Sequence, residues 1–413
     1  MIPLEVEEIR ALAPGELVGE GSVTGLEIDS RRIRPGDLFV AVGAGVQFVE
    51  DARAAGAGAT LVPDDAFAAL AAIAGAVRER SSARVVGITG STGKTSTKDI
   101  LVALCAPVAR TIANEASFNA ELGVPLTLCR LETDTELCLV EMGMRGLGQI
   151  AELCLFARPD AAVVTAIGPV HLELVGSVDG VARAKAELLD ALPVGAPAIV
   201  PESSELDPHL RRDLDVRRVP PVDAEVDEGG AVVRFQGRGI RFPLRARHQA
   251  QNALTALTAY EALGLPLDRV EEGAAGVRLS RWRDEELPLA DGGFVVNDAW
   301  NANPASMAAA LRNLAERGRD RRRLAVLGGM AELGDYAERY HREVGALARE
   351  LGIDVLAVGE LARCYGAGEW SPDAESALDR LRELVRPGDA ILVKASRAVG
   401  LEGIAPALAN QTA

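Results

Sequence analysis

The chain has 413 residues, which is too long for one ordinary domain and predicts two or three. It carries 44 Lys and Arg against 60 Asp and Glu, a net charge of −16, which argues against nucleic acid as a partner because nucleic-acid binding needs a basic face. Hydrophobic residues make up 48% of the chain, enough for a sizeable core, so a disordered chain is excluded.

The amino terminus and the cysteines favour the cytoplasm. The first residues, MIPLEVEEIR, lack the basic and then apolar order of a signal peptide. The longest apolar stretch, residues 67–77, is too short for a membrane span, which takes about 20 residues. The five cysteines show no CxxC spacing and are expected to be reduced thiols. The sequence therefore predicts a cytoplasmic protein without membrane insertion.

Strand-like and helical runs alternate along the whole chain, which predicts an α/β fold. A small α/β domain is expected over residues 1–82. A central phosphate-loop domain with a parallel, doubly wound sheet is expected over residues 83–281, with short antiparallel strands at 215–245. The alternation restarts near residue 282, so a Rossmann-like α/β domain is expected over residues 282–413.

The strongest motif is the run VVGITGSTGKTSTKD at residues 85–99, where a buried-type strand leads through a Gly-rich loop into a helix. In such a loop backbone N–H groups surround phosphate oxygens, Lys94 reaches the β- and γ-phosphates, and the Thr95 hydroxyl reaches Mg²⁺. Ile88 stands where the strict pattern has Gly, so this is a variant phosphate loop; a chance GKT in a Gly-rich turn is the alternative. The candidate nucleotide-binding residues of the loop are Gly90, Ser91, Thr92, Gly93, Lys94, Thr95 and Ser96.

Three residues that follow in the central domain are further candidates. Glu141 ends the strand-like run LCLVE, where a carboxylate can hold a nucleotide's magnesium, although a Glu there is usually a solvated turn residue. His171 follows another strand, at the edge where parallel sheets bind ligands, although a lone His is more often structural. Spacing alone favours a solvated helix position for Lys185. That interpretation is weakened because the chain has only four lysines and otherwise uses arginine.

Polar residues also crowd three turns outside the central domain. The run NDAWNANP places Asp298 and Asn301 in a strand-to-helix turn, where capping is the plain alternative. The run LVKASR ends a strand near Ser396, and IDSRRIRPGD places Ser30 and Arg31 before a turn. Each of the last two turns is equally well explained as a plain surface turn.

Taken in order, the runs DSRRIRPGDLF, TGSTGKTS, EMGMRG, IGPVHLELVGS, ARAKAEL, NDAWNANPASM and LVKASR resemble the Mur ligase family of peptidoglycan synthesis, across all three predicted domains. DAWNANP resembles the DxYNANP turn of the branch that joins D-alanyl-D-alanine to UDP-MurNAc-tripeptide, whereas sister branches carry an Asp-Tyr-Ala-His type turn. VLGGMAELG resembles the LGxMxELG run of the family. The chain departs from the pattern at Trp300, Ala120, Gly329 and Ala395, which stand for Tyr, Asn, an acidic residue and Gly.

The resemblance implies an ATP-dependent amide ligase. The tripeptide carboxylate would attack the γ-phosphate of ATP to give an acyl phosphate, and the amine of D-alanyl-D-alanine would then attack the acyl carbon. It implies ATP and Mg²⁺ as cofactors, with two metal sites, and a monomer whose partners are UDP-MurNAc-tripeptide and D-alanyl-D-alanine. Because two anions must meet, Mg²⁺, Lys94 and the loop amides would neutralise charge.

The resemblance also implies roles for single residues. Thr95 and Glu141 would hold the first Mg²⁺, and His171 and Lys185 would hold or support the second, with Lys185 as a carbamate. Arg283 would lie near the γ-phosphate, with Arg281 as the alternative register. The nucleotide-side residues would be Asn252, Asp298 and Asn301, the uridine-side residues Ser30 and Arg31, and the peptide-side residues Asn119 and Ser396.

Two other functions stay open. A sister Mur ligase or a folylpolyglutamate synthase-like ligase would share the central domain, so the first domain and the NANP turn discriminate. A phosphate-loop binding module without ligase activity would have no need to retain Lys94, Glu141, His171 and Lys185 together.

Overall fold

The structure, a computed structural model, describes residues 1–115, 118–203, 205–290 and 292–410. The last three residues of the third predicted domain, 411–413, therefore lie outside the described residues. Within the described ranges no helix is long and apolar enough to cross a membrane. All five cysteines are free thiols, as expected, and four of them are buried.

The amino-terminal part forms a four-stranded sheet in the order β2-β6-β5-β4, in which only the β2–β6 pair is antiparallel. Asp65 caps α3, the last helix of this part, by accepting from the backbone N–H groups of the first turn. Helix α3 packs against the central part, and residues on one of its faces line a cavity that the two parts share. The elements are β1 Leu4–Glu5, α1 Val6–Leu12, β2 Gly15–Gly19, β3 Ser22–Val23, β4 Gly25–Glu27, β5 Asp37–Val40, α2 Val49–Ala54, β6 Ala59–Pro63 and α3 Ala66–Arg80.

The central part is built on a six-stranded, wholly parallel sheet in the order β12-β11-β10-β7-β9-β8. Val86 and Ile88 of its strand β7 pack in one hydrophobic cluster and Val85 in another, so the sheet is buried on both faces. The elements are β7 Arg84–Thr89, α4 Lys94–Cys105, β8 Thr111–Ala113, α5 Gly123–Leu128, β9 Leu137–Glu141, α6 Gln149–Ala157, β10 Ala161–Val164, α7 Leu172–Val175, α8 Val178–Asp190, β11 Pro197–Pro201, β12 Asp215–Val219, β13 Ala224–Asp227, β14 Gly230–Phe235, β15 Arg238–Phe242, α9 Arg247–Ala262 and α10 Val270–Ala275.

The prediction of antiparallel strands over residues 215–245 was wrong at its start. Strand β12 pairs in parallel with β11 and forms an edge of the central sheet, with Ala198 opposite Val216. The connection, residues 202–214, is long enough for a parallel crossover, which takes about a dozen residues or more. The rest of the run forms the predicted antiparallel sheet β13-β14-β15.

The carboxyl-terminal part has a second six-stranded sheet in the order β16-β17-β21-β18-β19-β20, parallel except for the edge strand β16. The NANP turn (residues 301–304) follows β17, and the MAELG loop (residues 330–334) follows β18. Both lie against the central part. Lys394 is the last residue of β21. The elements are β16 Glu285–Pro288, β17 Phe294–Asn297, α11 Pro304–Arg317, β18 Arg323–Gly328, α12 Ala337–Glu350, β19 Asp354–Val358, β20 Glu369–Ser371, α13 Ala374–Leu384, β21 Ala390–Lys394 and α14 Ile404–Ala409.

Candidate active site

A cavity of about 1100 Å³ is lined by residues from all three parts of the chain. The amino-terminal part contributes one face of α3. The central part contributes the phosphate loop, the ends of β9 and β10, and helices α6, α8 and α9. The carboxyl-terminal part contributes Arg283, the NANP turn, Glu332 and Lys394. This is the edge at which open parallel sheets bind ligands.

The phosphate loop is held in place by tight packing at two glycines. Gly90 and Gly93 have φ of +147° and +81°, and a Cβ at either would collide, with Thr165 Oγ1 and Asn252 Oδ1 respectively. Thr165 donates to Thr92 O at 2.5 Å, and Lys94 Nζ donates to Gly90 O at 2.8 Å. Helix α4 begins at Lys94 without a side-chain cap, so its first N–H groups are available to a phosphate.

Glu141 offers a carboxylate oxygen to the cavity. The side chain is buried, and its Oε1 accepts from Asn119 Nδ2 at 2.7 Å. Its Oε2 is buried and has no hydrogen-bond partner among the described residues. An unpartnered buried carboxylate oxygen in a cavity that Thr95 also lines suits a hard cation.

The available donor groups fit Mg²⁺, which also takes ligands from substrate phosphates and water, better than a metal ion bound by protein side chains alone. In the described part of the chain no three His, Cys, Asp or Glu side chains converge on one point. Mg²⁺ is usually bound by one or two carboxylates together with substrate phosphates and water, so a single carboxylate next to a phosphate loop is the expected arrangement.

Lys185 is buried, so its interpretation as a solvated helix lysine was wrong. Lys185 is 1% exposed. Burial, and then the nearby Lys94, hold the pKa of Lys185 well below its usual value. Helix α8 packs against β7, where Gly87 leaves room for the side chain of Leu188. The Lys185 amine thus lies in the cavity wall, in surroundings that favour its neutral form.

His171 and Glu332 join the central and carboxyl-terminal parts across the cavity. His171 Nδ1 lies 2.6 Å from Glu332 Oε2, and Arg145 Nε lies 3.5 Å from Glu332 Oε1. This close contact with His171 is the main cause that lowers the pKa of Glu332. The sequence analysis did not single out Glu332, although its place in the loop after β18 is where such sheets carry ligand-binding residues.

The NANP turn has both a capping and a cavity-lining role. Asn303 caps α11 in a capping box with Ser306, and its Nδ2 donates to Ser91 O of the phosphate loop at 3.3 Å. Asp298 and Asn301 line the cavity. The capping interpretation is therefore correct for Asn303 and incomplete for the other two.

Lys394, a residue without an assigned role in the sequence analysis, ties this turn to the end of β21. Its ammonium donates to Asp298 Oδ2 at 2.5 Å, to Asn301 O at 3.0 Å and to Asp298 O at 3.3 Å. The side chain is 2% exposed, so the pair is buried.

Two further titratable groups near Asp298 were also missed. Burial, and then the Asp298 charge, raise the pKa of Asp284 to about 7. Burial lowers the pKa of His248 to about 4, although Asp298 acts in the opposite direction. Their pattern in the sequence carries no signal, because both shifts come from tertiary burial.

The two arginines that are candidates for the position near the γ-phosphate differ in their location. Arg283 lines the cavity, whereas Arg281 is exposed and does not. Trp282 and Asp284 on either side have φ of +60° and +54°. The Arg283 guanidinium lies 5.7 Å from the ring of Trp300, which stacks on Trp282 at a centroid distance of 5.7 Å.

The remaining predicted site residues divide into those that line the cavity and those that do not. Asn119 and Asn252 line it. Ser396 is buried behind it, where its Oγ accepts from Ala331 N at 2.9 Å and donates to Ala302 O at 3.4 Å. Ser30 and Arg31 lie in a turn away from the cavity, and Arg31 pairs with its neighbour Asp29 at 2.7 Å. Their uridine-side role stays a prediction.

Comparisons with known proteins decide the family. A family model of the Mur ligase middle domain matches residues 88–260, and one described as Mur ligase, glutamate ligase domain, matches residues 283–397. UDP-N-acetylmuramoyl-tripeptide–D-alanyl-D-alanine ligase of Escherichia coli K12 is 32% identical, over 99% of each chain. The chain belongs to the Mur ligase family. The ligase of the same name from Mycobacterium tuberculosis H37Rv is 34% identical, over 99% of this chain and 98% of that one.

Solved structures of Mur ligases agree. MurF from Acinetobacter baumannii superposes with a TM-score of 0.87 and 26% identity, over 99% of each chain. MurF from Thermotoga maritima in complex with ADP gives a TM-score of 0.83 at 26% identity, over 94% of this chain and 98% of that one. The predicted α/β class with parallel central and carboxyl-terminal sheets is confirmed.

Proposed function

We propose that this Mur ligase joins D-alanyl-D-alanine to UDP-MurNAc-tripeptide at the expense of ATP, through an acyl phosphate. The observation that carries the proposal is the single cavity that combines a phosphate loop, the Glu141 carboxylate and the buried Lys185 amine with the NANP turn. The relatives that share almost the whole length of the chain bear the name of this activity.

The nucleotide would be bound between the phosphate loop and the NANP turn. Residues Gly90 to Ser96 would surround the phosphates through their N–H groups, and Lys94 would leave Gly90 O to contact the transferred phosphate. Asn252, Asp298 and Asn301 would contact the nucleoside side. The stacked Trp300 offers a flat apolar face beside them.

Mg²⁺, when bound, would supply positive charge that neutralises the phosphate oxygens. Thr95 and Glu141 fit a first site because they place a hydroxyl and an unpartnered carboxylate oxygen in the same wall. His171 and Lys185 would hold or support a second. The low pKa of Lys185 supports a carbamate there, because only a neutral amine adds CO₂.

The chain's own groups would bring two anions together. Arg283 and Lys94 would lower the repulsion between the tripeptide carboxylate and the γ-phosphate. Asn119 would orient Glu141 through its 2.7 Å hydrogen bond. Ser396 would act on the peptide side indirectly, by fixing the backbone of the two loops that face the cavity.

The uridine nucleotide would be held by the amino-terminal part, with Ser30 and Arg31 as contacts. We also propose boundaries between three domains at 82/83 and 281/282, and a cytoplasmic monomer that binds no nucleic acid. Both family models fall within the second and third of these domains.

A substrate panel tests the function. The purified chain is incubated with ATP, Mg²⁺ and UDP-MurNAc-tripeptide, and D-alanyl-D-alanine, D-glutamate or L-alanine is added separately. We expect ADP, phosphate and a new amide only with the dipeptide. An amide formed only with D-glutamate or L-alanine would indicate a sister ligase, and nucleotide binding without phosphate release would indicate a binding module.

A further inference from the structure

Among the described residues, five carboxylates line the cavity. Four of them are either bound to another side chain or lie elsewhere on its wall. Glu141 faces the phosphate loop and accepts from Asn119. Asp298 is paired with Lys394. Glu121 and Glu152 are exposed, the first just before α5 and the second within α6. The fifth, Glu332, is the carboxylate that the carboxyl-terminal part presents to His171.

Hydrogen bonds fix the backbone around Glu332, and Glu332 itself has a strained backbone conformation. Glu332 has φ of +63°, a left-handed conformation that costs a residue with a Cβ about 1 kcal/mol or more. The loop before it is anchored twice, since Met330 N donates to His341 Nε2 and Ala331 N donates to a serine hydroxyl, each at 2.9 Å. The carboxylate is therefore held in position above the central part.

Charge around the reaction centre suits phosphates and not an amine. The side chains of Lys94 and Arg283 line the same cavity. The α-amino group of a dipeptide has a pKa of about 8, so it arrives mostly as an ammonium ion near neutral pH. Such a cation needs an anionic contact close to the acyl carbon if it is to approach this centre.

Glu332 retains acceptor capacity for that cation. Its side chain is 42% exposed, and a carboxylate has about four lone-pair sites. One oxygen contacts His171, and for the other the described residues provide only the exposed Arg145, at 3.5 Å.

We propose that Glu332 binds the ammonium group of the amine substrate and guides it to the acyl carbon beside His171. This assignment rests on the ligase function proposed above and deepens it, since it names the residue that admits the second substrate.

The test compares Glu332→Gln with Asp335→Asn, a matched loss of one negative charge three residues away, outside the cavity wall. We expect Glu332→Gln to raise the KM for D-alanyl-D-alanine by about tenfold to a hundredfold, the effect of one lost charge-assisted hydrogen bond. The KM values for ATP and UDP-MurNAc-tripeptide should stay close to wild type. Asp335→Asn should change none of them.

An assay with hydroxylamine shows whether the substitution affects binding of the ammonium group or formation of the acyl phosphate. Hydroxylamine is largely uncharged near neutral pH and traps an acyl phosphate as a hydroxamate, so Glu332→Gln should form hydroxamate at nearly the wild-type rate. Glu332→Gly should show the same selective loss while unfolding at an equal or higher temperature, because glycine adopts the left-handed backbone without strain.

Three results would overturn the proposal: an unchanged KM for the dipeptide, an equal loss of hydroxamate and amide, or the same KM change in Asp335→Asn. The second would assign Glu332 to the phosphate-transfer step through His171. Failure of the ligase function itself looks different, since the wild-type chain would then form neither hydroxamate nor amide from UDP-MurNAc-tripeptide.

Discussion

Replacing Lys185 by methionine should stabilise the central part of the chain while it abolishes ligation. Lys185 is 1% exposed, and burial and the nearby Lys94 hold its pKa well below the usual value. Methionine has the length of the lysine stem without the amine, so it fills the same space. A gain in stability together with a loss of activity is typical when a functional residue that destabilises the fold is replaced.

The size of the effect follows from the contacts. Burial and the nearby Lys94 both act against the charged amine, and a group in such surroundings costs about 1–3 kcal/mol, so Lys185→Met should raise the free energy of unfolding by that amount. Lys98 is the matched control, since it is 2% exposed but donates to Asn114 O at 2.8 Å and lies 3.3 Å from Asp99 Oδ1. Lys98→Met should lower stability by about 3 kcal/mol, because it leaves the Asp99 carboxylate without its cation.

Calorimetry of the ligand-free chain in CO₂-depleted buffer measures both variants. A chain with several domains has no single free energy of unfolding, so the Tm of the affected transition is compared. For a domain of about 200 residues, 1 kcal/mol shifts the Tm by about 2–4 °C. We expect a rise of a few degrees for Lys185→Met and a fall of about 10 °C for Lys98→Met.

The pH dependence has a definite sign. The pKa of Lys185 is lowered in the folded chain from 10.5, so between the folded pKa and 10.5 the unfolded state binds one proton more. The free energy of unfolding of the wild type therefore rises with pH over that interval, and its Tm deficit against Lys185→Met should narrow toward about pH 10.

A Tm of Lys185→Met below that of the wild type in CO₂-depleted buffer would refute this reasoning, because it would show that favourable contacts hold the amine. Bicarbonate supplies the complementary test. A carbamate forms on the native amine, so bicarbonate should raise the Tm of the wild type and leave that of the variant unchanged.

Two further substitutions test the phosphate loop and the NANP turn. Lys94→Ala should lower turnover by about a thousandfold or more with little change in Tm, since a charge contact in the transition state is worth several kcal/mol; near-normal ADP release would contradict the phosphate loop. Lys394→Met should weaken nucleotide binding about tenfold by leaving the Asp298 carboxylate unpaired, and adding Asp298→Asn should restore part of the loss. Strictly additive effects would show that the pair does not act as a unit.

Local sequence was enough to predict the elements that carry the phosphate chemistry. The strand before the loop and the helix after it are confirmed as β7 and α4, because Gly90 and Gly93 permit a turn that residues with a Cβ do not adopt easily. Glu141 and His171 lie where strand ends place them, since that position depends on the chain immediately before each of them.

Contacts between distant segments were beyond the sequence pattern. Burial of Lys185 depends on how α8 packs against other elements of the central part, and an amphipathic pattern on α8 does not reveal it. Glu332 meets His171 only because two separate sheets face each other. Such pairings are set by tertiary packing rather than by local periodicity.

The chain uses lysine at few positions, and the chemistry of these positions explains why arginine does not replace it there. Of its 44 Lys and Arg residues only four are lysines, and all four are buried or half-buried around the loop and the turn. A guanidinium is planar, has five donors and stays protonated, so it suits exposed carboxylates but not a narrow pocket. Lys394 instead directs a compact ammonium to three oxygens, and Lys185 can lose its proton. Lysine thus persists at positions that require a small cation or a neutral amine.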